Sequence, residues 1–256
     1  MEPLIDTHCH LNDPSFNDTI DDVLERARRK GVVGCVVPSY DRESLARTAE
    51  LAQLNPDILF PGFGVHPWFL DEKALQELET YVKMPETVCL GEVGLDLSPG
   101  MPSRNAQEAF FAAQIRMAAD YGLPVTVHCR RAHERVYEMV QPYRDRITVI
   151  MHSFSGSVEV MKRFLDLGCY ISFSGSVTRE TAKKYHRCAA AVPADRLLLE
   201  TDAPSIATQT TPASRVEPVH TAEIASKIAD IRGASYTEVC RRSTSNARCV
   251  FGKRMK

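Results

Sequence analysis

The sequence predicts a (β/α)8 barrel, an α/β fold in which eight parallel strands are each followed by a helix. Three observations lead there. Runs rich in Val, Ile, Leu and Cys recur at residues 4–11, 32–38, 58–65, 88–95, 124–128, 147–152, 168–174 and 197–202. These runs are nearly continuous in apolar residues, as in strands buried on both faces of a parallel sheet, and amphipathic stretches separate them. Eight such units in 256 residues match the size of that barrel, with 1–256 as one domain. A doubly wound open sheet is the alternative, but no Gly-x-Gly-x-x-Gly follows the first strand.

The helices between the strands carry their own start and stop signals. In residues 18–30, Ile20, Val23, Leu24 and Ala27 form one apolar stripe. Asp21 and Asp22 suit the positive end of that helix dipole, Arg28, Arg29 and Lys30 the negative end, and Gly31 stops it. Residues 106–121 form a second clear helix, closed by Gly122 and Pro124, and residues 157–167 a third, running to Gly168. Ser235-Tyr236-Thr237-Glu238 is a capping box for the last helix, which Gly252 ends. No linker, low-complexity tract or charge block divides the chain, so the Thr/Ser/Pro-rich stretch 205–214 is a loop.

Composition sets limits on function. With 44% apolar and 25% charged residues the chain is an ordinary globule, neither disordered nor fibrous. Thirty-one basic against 33 acidic residues leave a net charge of −2, so no global positive field attracts nucleic acid and only a local patch would. Residues 31–37 and similar apolar runs fall far short of the ~20 a membrane helix needs, which predicts no membrane partner. Met1-Glu2-Pro3 leads straight into a strand-like run, with no basic start or signal-peptide apolar core, and the expected location is cytoplasmic. Nothing indicates an obligate protein partner, and a monomer is expected. Eight cysteines (9, 35, 89, 129, 169, 188, 240, 249) contain no Cys-x-x-Cys pair, and four lie in strand runs; they read as reduced, buried, small apolar side chains.

On a parallel barrel, chemistry collects at the C-terminal ends of the strands. His, Asp and Glu concentrate there. The first strand ends in Asp6-Thr7-His8-Cys9-His10, and residues two apart on a strand share a face, so His8 and His10 project together with Asp6 beside them. His66 ends the third strand, Glu92 lies on the fourth, His128 ends the fifth, His152 the sixth and Asp202 the eighth. Burying so many imidazoles and carboxylates without partners is costly, and a metal centre satisfies them together. Asp6 and Glu200 then read as partners of the ligand histidines. Arg130 is either a clamp on an anionic group or half of an ion pair. Ser155-Gly156-Ser157 is either a phosphate-binding helix start or a plain cap. Trp68 either stacks on a base or packs under its loop. His133, His186 and His220 fall in helical stretches and are expected to be solvated.

Six ordered motifs carry a resemblance: Asp-x-His-x-His-Leu, Gly-Val-His-Pro, Gly-Glu-Val-Gly-Leu-Asp, Pro-Val-x-Val-His-x-Arg, His-x-Phe-Ser-Gly and Leu-Leu-Glu-Thr-Asp-Ala-Pro. In this order the chain closely resembles the TatD family of metal-dependent hydrolases, from Asp6 to the closing Asn246-Ala247-Arg248-Cys249-Val250-Phe251. The resemblance implies an amidohydrolase-type barrel with two divalent metal ions and DNase activity, often 3′→5′ exonucleolytic. One metal would be held by His8, His10, Glu92 and Asp202, and the second by Glu92, His128 and His152. His66 and Arg130 would sit near the substrate phosphate, and Asp202 would orient or deprotonate the attacking water. The imidazole-rich set favours Zn²⁺ or Mn²⁺, while the family is usually described as Mg²⁺-dependent. Two departures bear on substrate choice. Leu97-Ser98-Pro99 stands where relatives carry an aromatic and a basic residue, and Arg215-Val216-Glu217-Pro218 has Val where Asn is usual.

DNA is thus the expected substrate, bound through local groups such as Arg130, Arg131, Arg135, Arg179, Lys183, Lys184 and Arg215. Two other readings stand beside it: a binuclear amidohydrolase or lactonase acting on a small substrate, and a non-catalytic metal-binding barrel. Such small-substrate barrels often bridge their metals with a carboxylated lysine on the fourth strand; here that run offers Glu92 and no lysine.

Overall fold

The computed structural model describes residues 2–252; the expected domain 1–256 also takes in residue 1 and residues 253–256, which lie outside the described residues. Eight strands run in chain order: β1 (Leu4–Asp6), β2 (Val32–Pro38), β3 (Leu59–Phe63), β4 (Cys89–Asp96), β5 (Val125–Arg130), β6 (Val149–Met151), β7 (Tyr170–Phe173) and β8 (Leu197–Leu199). Each pairs in parallel with the next. Between β8 and β1 the ring is drawn together by Thr7 N–H to Leu199 O (3.0 Å) and Asp202 N–H to His8 O (2.9 Å). The expected barrel is the observed one.

Helices α1 (Ile20–Arg29), α2 (Arg42–Leu54), α3 (Glu72–Val82), α4 (Arg104–Tyr121), α5 (His133–Val140), α6 (Val158–Asp166) and α7 (Lys183–Ala191) follow the first seven strands; α8 (Thr221–Arg232) and α9 (Tyr236–Phe251) follow β8. The stripe expected on α1 buries Val23, Leu24 and Ala27. Helix α4 starts two residues earlier than its apolar pattern suggests, because Ser103 Oγ accepts the Ala106 N–H (3.3 Å) and caps it. Ser157 likewise accepts the Val160 N–H (3.3 Å), so Ser155-Gly156-Ser157 is a plain cap. At α9, Ser235 Oγ accepts the Glu238 N–H (3.1 Å), one half of the expected box.

Two strands are shorter than their apolar runs. The run 4–11 is a strand only to Asp6, since beyond it the amides divide: Thr7 and His10 donate to Leu199 O and Ala203 O, while Cys9 donates to Val36 O. The segment therefore weaves between β2 and β8 instead of extending one ladder. The run 197–202 is a strand only to Leu199 for the same reason. Asp202 there adopts φ 52°, a left-handed conformation that Asp tolerates better than most residues.

The larger core lies between strands and helices. A smaller apolar layer inside the barrel takes Ile5, Val36, Phe60, Ile150, Tyr170 and Leu198 from different strands. Side chains alternate along strands, so counting in twos from this layer leads to His66, His152, Glu200 and Asp202 at the barrel mouth. Six cysteines are buried, Cys129 is half-buried and Cys249 exposed; all are free thiols, as their scattered positions predict. No helix among the described residues is long and apolar enough to cross a membrane.

Candidate metal centre and active site

Glu92 is the hub. It is buried on β4 and its two oxygens face different groups of imidazoles. Oε2 lies 3.1 Å from His8 Nε2 and 3.2 Å from His10 Nε2. Oε1 lies 2.9 Å from His128 Nδ1, 3.3 Å from His66 Nε2 and 3.4 Å from His152 Nε2. Asp202 closes the ring, with Oδ1 3.4 Å from His10 Nε2 and Oδ2 3.9 Å from His152 Nε2. All six residues predicted as ligands meet in one pocket, together with His66. The arrangement depends on a close approach of β4 to β5: Gly94 has φ 143°, and a side chain there would overlap the His128 carbonyl.

These groups force unusual protonation states on one another. Burial alone would depress His10 and His152, but Asp202 and Glu92 outweigh it at His10, and Glu200, Glu92 and Asp202 at His152. Both are held up to about 10. His8 is pushed down by burial and by the His152 ring stacked on it at 3.8 Å. His66 falls to about 4, chiefly by burial, and is neutral at physiological pH. Its Nδ1 accepts the Trp68 backbone N–H (3.1 Å), which places its remaining proton on Nε2.

The donor set fits divalent cations. Neutral imidazoles and carboxylates at this density are what such ions take, and metal-binding histidines characteristically turn their other nitrogen to a carboxylate. His128 does so, with Nε2 3.2 Å from Asp96 Oδ2. His152 does so as well, its Nδ1 lying 2.8 Å from Glu200 Oε1, although at an angle too oblique for a hydrogen bond. The expected pairing of Asp6 with a ligand histidine is corrected by the structure. Asp6 accepts from the Thr201 backbone N–H (2.9 Å), from Thr201 Oγ1 (2.5 Å) and from the His8 backbone N–H (3.2 Å). It ties β1 to β8, and the buried Nδ1 atoms of His8 and His10 have no acceptor. The cause is again the break in alternation after Asp6.

A cavity of about 290 Å³ opens above the cluster. Tyr40 after β2, Trp68 and Phe69 after β3, Asp13 after β1 and Ser205 after β8 wall it. Trp68 does not pack away under its loop: it is 43% exposed, and its indole N–H donates to Asp96 Oδ2 (2.8 Å). Arg130 is exposed at the end of β5, has no ion-pair partner among the described residues, and is not among the residues lining the cavity. Of the other basic groups, Arg135 is engaged by Glu108 (2.7 Å) and Glu138 (2.8 Å).

The three histidines expected to be solvated are each half-buried with internal contacts. His133 packs against the Phe154 ring, His186 Nε2 lies 3.0 Å from Val177 O, and His220 Nδ1 accepts the Glu217 N–H (3.0 Å). Asp96 went without a role in the sequence reading. Its signal was present: it stands four residues after Glu92, and even spacing on one strand means one face. The departure at Leu97-Ser98-Pro99 is also nearer the centre than its sequence position implies, since the Ser98 N–H donates to Asp96 Oδ1 (2.9 Å). The other departure is remote: Glu217 pairs with Arg26 on α1 at 2.8 Å.

A family model described as TatD related DNase matches residues 5–252. The chain belongs to the TatD family. It is 31% identical to the uncharacterized metal-dependent hydrolase YabD of Bacillus subtilis over 252 residues, 97% of this chain and 98% of YabD. It is 33% identical over 259 residues to a protein of Edwardsiella piscicida named 3′-5′ ssDNA/RNA exonuclease TatD, covering 97% of this chain and 99% of the relative. Among solved structures, the TatD homologue YjjV of Escherichia coli superposes with a TM-score of 0.89 at 30% identity, covering 96% of this chain and 97% of that one. An organophosphorus hydrolase from Deinococcus radiodurans shares the fold alone, with a TM-score of 0.67 at 14% identity over 97% of this chain and 93% of that one. The protein is thus a metal-dependent hydrolase of the TatD family, with a His/Glu/Asp cluster able to hold metal at its barrel mouth.

Proposed function

We propose that this TatD-family hydrolase is a phosphodiesterase that removes nucleotides from the end of a single DNA strand, 3′ to 5′, using two divalent cations. One observation carries the reading: the two oxygens of Glu92 face two distinct sets of imidazoles, as a carboxylate bridging two ions requires. His8, His10, Glu92 and Asp202 would hold one cation, and Glu92, His128 and His152 the other. The name of the Edwardsiella relative supports the substrate. The imidazole-rich donor set favours Zn²⁺ or Mn²⁺ at rest over Mg²⁺.

When bound, a cation pair of this kind makes water acidic enough to attack near neutral pH and offsets negative charge on the phosphoryl group. The chain's own residues do the rest. Glu92 fixes the separation of the two halves. Asp202, with Oδ1 turned to His10 and Oδ2 3.9 Å from His152 Nε2, would use Oδ2 to orient the attacking water and accept its proton. His66 stays neutral; with Nδ1 taken by the Trp68 backbone N–H, its Nε2–H would turn from Glu92 Oε1 (3.3 Å) to donate to a phosphoryl oxygen. Arg130, at the rim, meets the next phosphate outward.

The experiment is a side-by-side assay of 5′-labelled single-stranded DNA and a lactone panel, with metal analysis of the purified protein. Near-stoichiometric metal, stepwise shortening of DNA and loss of cleavage on chelation are expected. Lactone turnover without DNA cleavage would replace this reading with the small-substrate one.

A further inference from the structure

Few large apolar side chains face water among the described residues, and two of them, Trp68 and Phe69, are neighbours in sequence and line the same cavity. Tyr40 stands beside them, its ring centroid 5.6 Å from that of Phe69. Trp68 is held in place: its N–H is bound by Asp96, and its ring meets His66 edge-on at 4.8 Å. An indole face fixed in this way and left open at a cavity wall does not serve core packing. Among the described residues no lysine or arginine lines the cavity, and Asp13 adds a carboxylate at its edge. Cation ligands on the floor and aromatic faces on the wall, without a basic side chain, suit a ligand with one anionic group and one planar uncharged group. A volume of about 290 Å³ lies at the small end of small-molecule sites.

We propose that Trp68 and Phe69, with Tyr40, form a stacking wall for the base of a single terminal nucleotide whose phosphate reaches the Glu92 centre. The inference rests on the phosphodiesterase reading and adds how the strand end is recognised: by the π-face that every base offers, hence with little sequence preference. Phosphate charge is then offset by the bound cations, with neutral His66 donating a hydrogen bond.

The chain contains one tryptophan, so its emission reports on Trp68 alone. The metal-loaded protein is titrated with deoxyadenosine 5′-monophosphate and with 2-deoxyribose 5-phosphate. The nucleotide should quench the emission and bind about tenfold or more tightly than the sugar phosphate. Phe69→Ala, which keeps the reporter, should lose several-fold of that preference while sugar-phosphate affinity holds. Equal affinity for the two ligands, or nucleotide binding that leaves Trp68 emission unchanged, overturns the wall. If the preference is absent while single-stranded DNA is still degraded, the stacking proposal fails alone; if DNA is also untouched, the phosphodiesterase reading fails with it.

Discussion

Asp96→Asn tests the centre at the carboxylate that holds His128 and Trp68 together. Asp96 Oδ2 takes both the His128 Nε2–H (3.2 Å) and the Trp68 N–H (2.8 Å), and Oδ1 takes the Ser98 N–H (2.9 Å). Burial alone would raise this carboxyl, yet the three donors hold it well below the usual carboxylate range, so it is charged throughout the physiological window. Asparagine keeps the shape but has one accepting oxygen. If that oxygen stays with His128 and Trp68, the new NH2 faces the Ser98 N–H; if it turns to Ser98, the NH2 faces two donors. Exchanging a charge-assisted bond to His128 for a neutral one costs about 1–1.5 kcal/mol, and a donor left unpaired in the interior costs about 1–3 kcal/mol. The bond to His128 alone corresponds to roughly tenfold in metal affinity, and the full set brings the loss toward ~100-fold. Competition against a chromophoric chelator measures it, circular dichroism melts in excess chelator check that the barrel persists, and Trp68 emission reports the lost indole partner. Asp96→Asn that binds metal within about twofold of wild type, with unchanged Trp68 emission, would refute this account of how His128 is held.

Other expected outcomes follow from the same geometry. His10 and His152 are held near pKa 10 without metal, His128 is raised as well, and ligands must be neutral, so metal uptake at pH 7.5 should release two or more protons per chain, read from the buffer dependence of the calorimetric enthalpy. A binding enthalpy independent of buffer would contradict those charge states. His128→Ala and Asp202→Ala should each lower DNA cleavage by about a hundredfold or more while leaving the thermal unfolding cooperative, and full activity in either removes the mechanism. Gly94→Ala should displace the His128 main chain and destabilise the fold by about 2 kcal/mol or more, because φ 143° excludes a side chain and the carbonyl blocks it. DNA affinity should fall with salt at a log–log slope of only about 1, for contact with one or two phosphates. A slope of several would reveal a basic track that the cavity lining does not contain.

The barrel was legible because its strands are buried on both faces, and a run such as 32–38 has no alternative reading; β2 occupies it in full. The ends were not, because an apolar run does not record where backbone partners change: 4–11 holds a strand only to Asp6. The ligand set was legible for a related reason. His66, His152 and Asp202 sit at even spacing from inward-facing core residues, and strand alternation carries that information in the sequence alone. Asp6 shows where it stops, since its role turned on a broken alternation that only the hydrogen bonds to Thr201 reveal. Tyr40 and Phe69 come from loops, which have no period to read, and they reach the cavity through tertiary packing.

On the phosphodiesterase reading, the charge around the centre bears on how a chain of net charge −2 would take a polyanion. Glu92 and Asp202, with Asp96 and Glu200 behind the histidines, put four carboxylates around the imidazoles, and Asp13 stands at the cavity edge. Two divalent cations at the proposed sites would bring four positive charges, leaving the loaded centre with little net charge. Such a site exerts little long-range pull on DNA, because attraction beyond a Debye length of about 8 Å follows net charge. It would bind phosphate strongly only on contact with the cations. A strand end can bring one phosphate that far into a cavity of about 290 Å³, and a continuous duplex cannot. On the phosphodiesterase reading, a preference for ends would therefore come from cavity size acting together with charges that nearly cancel at a distance, with no need for a basic groove.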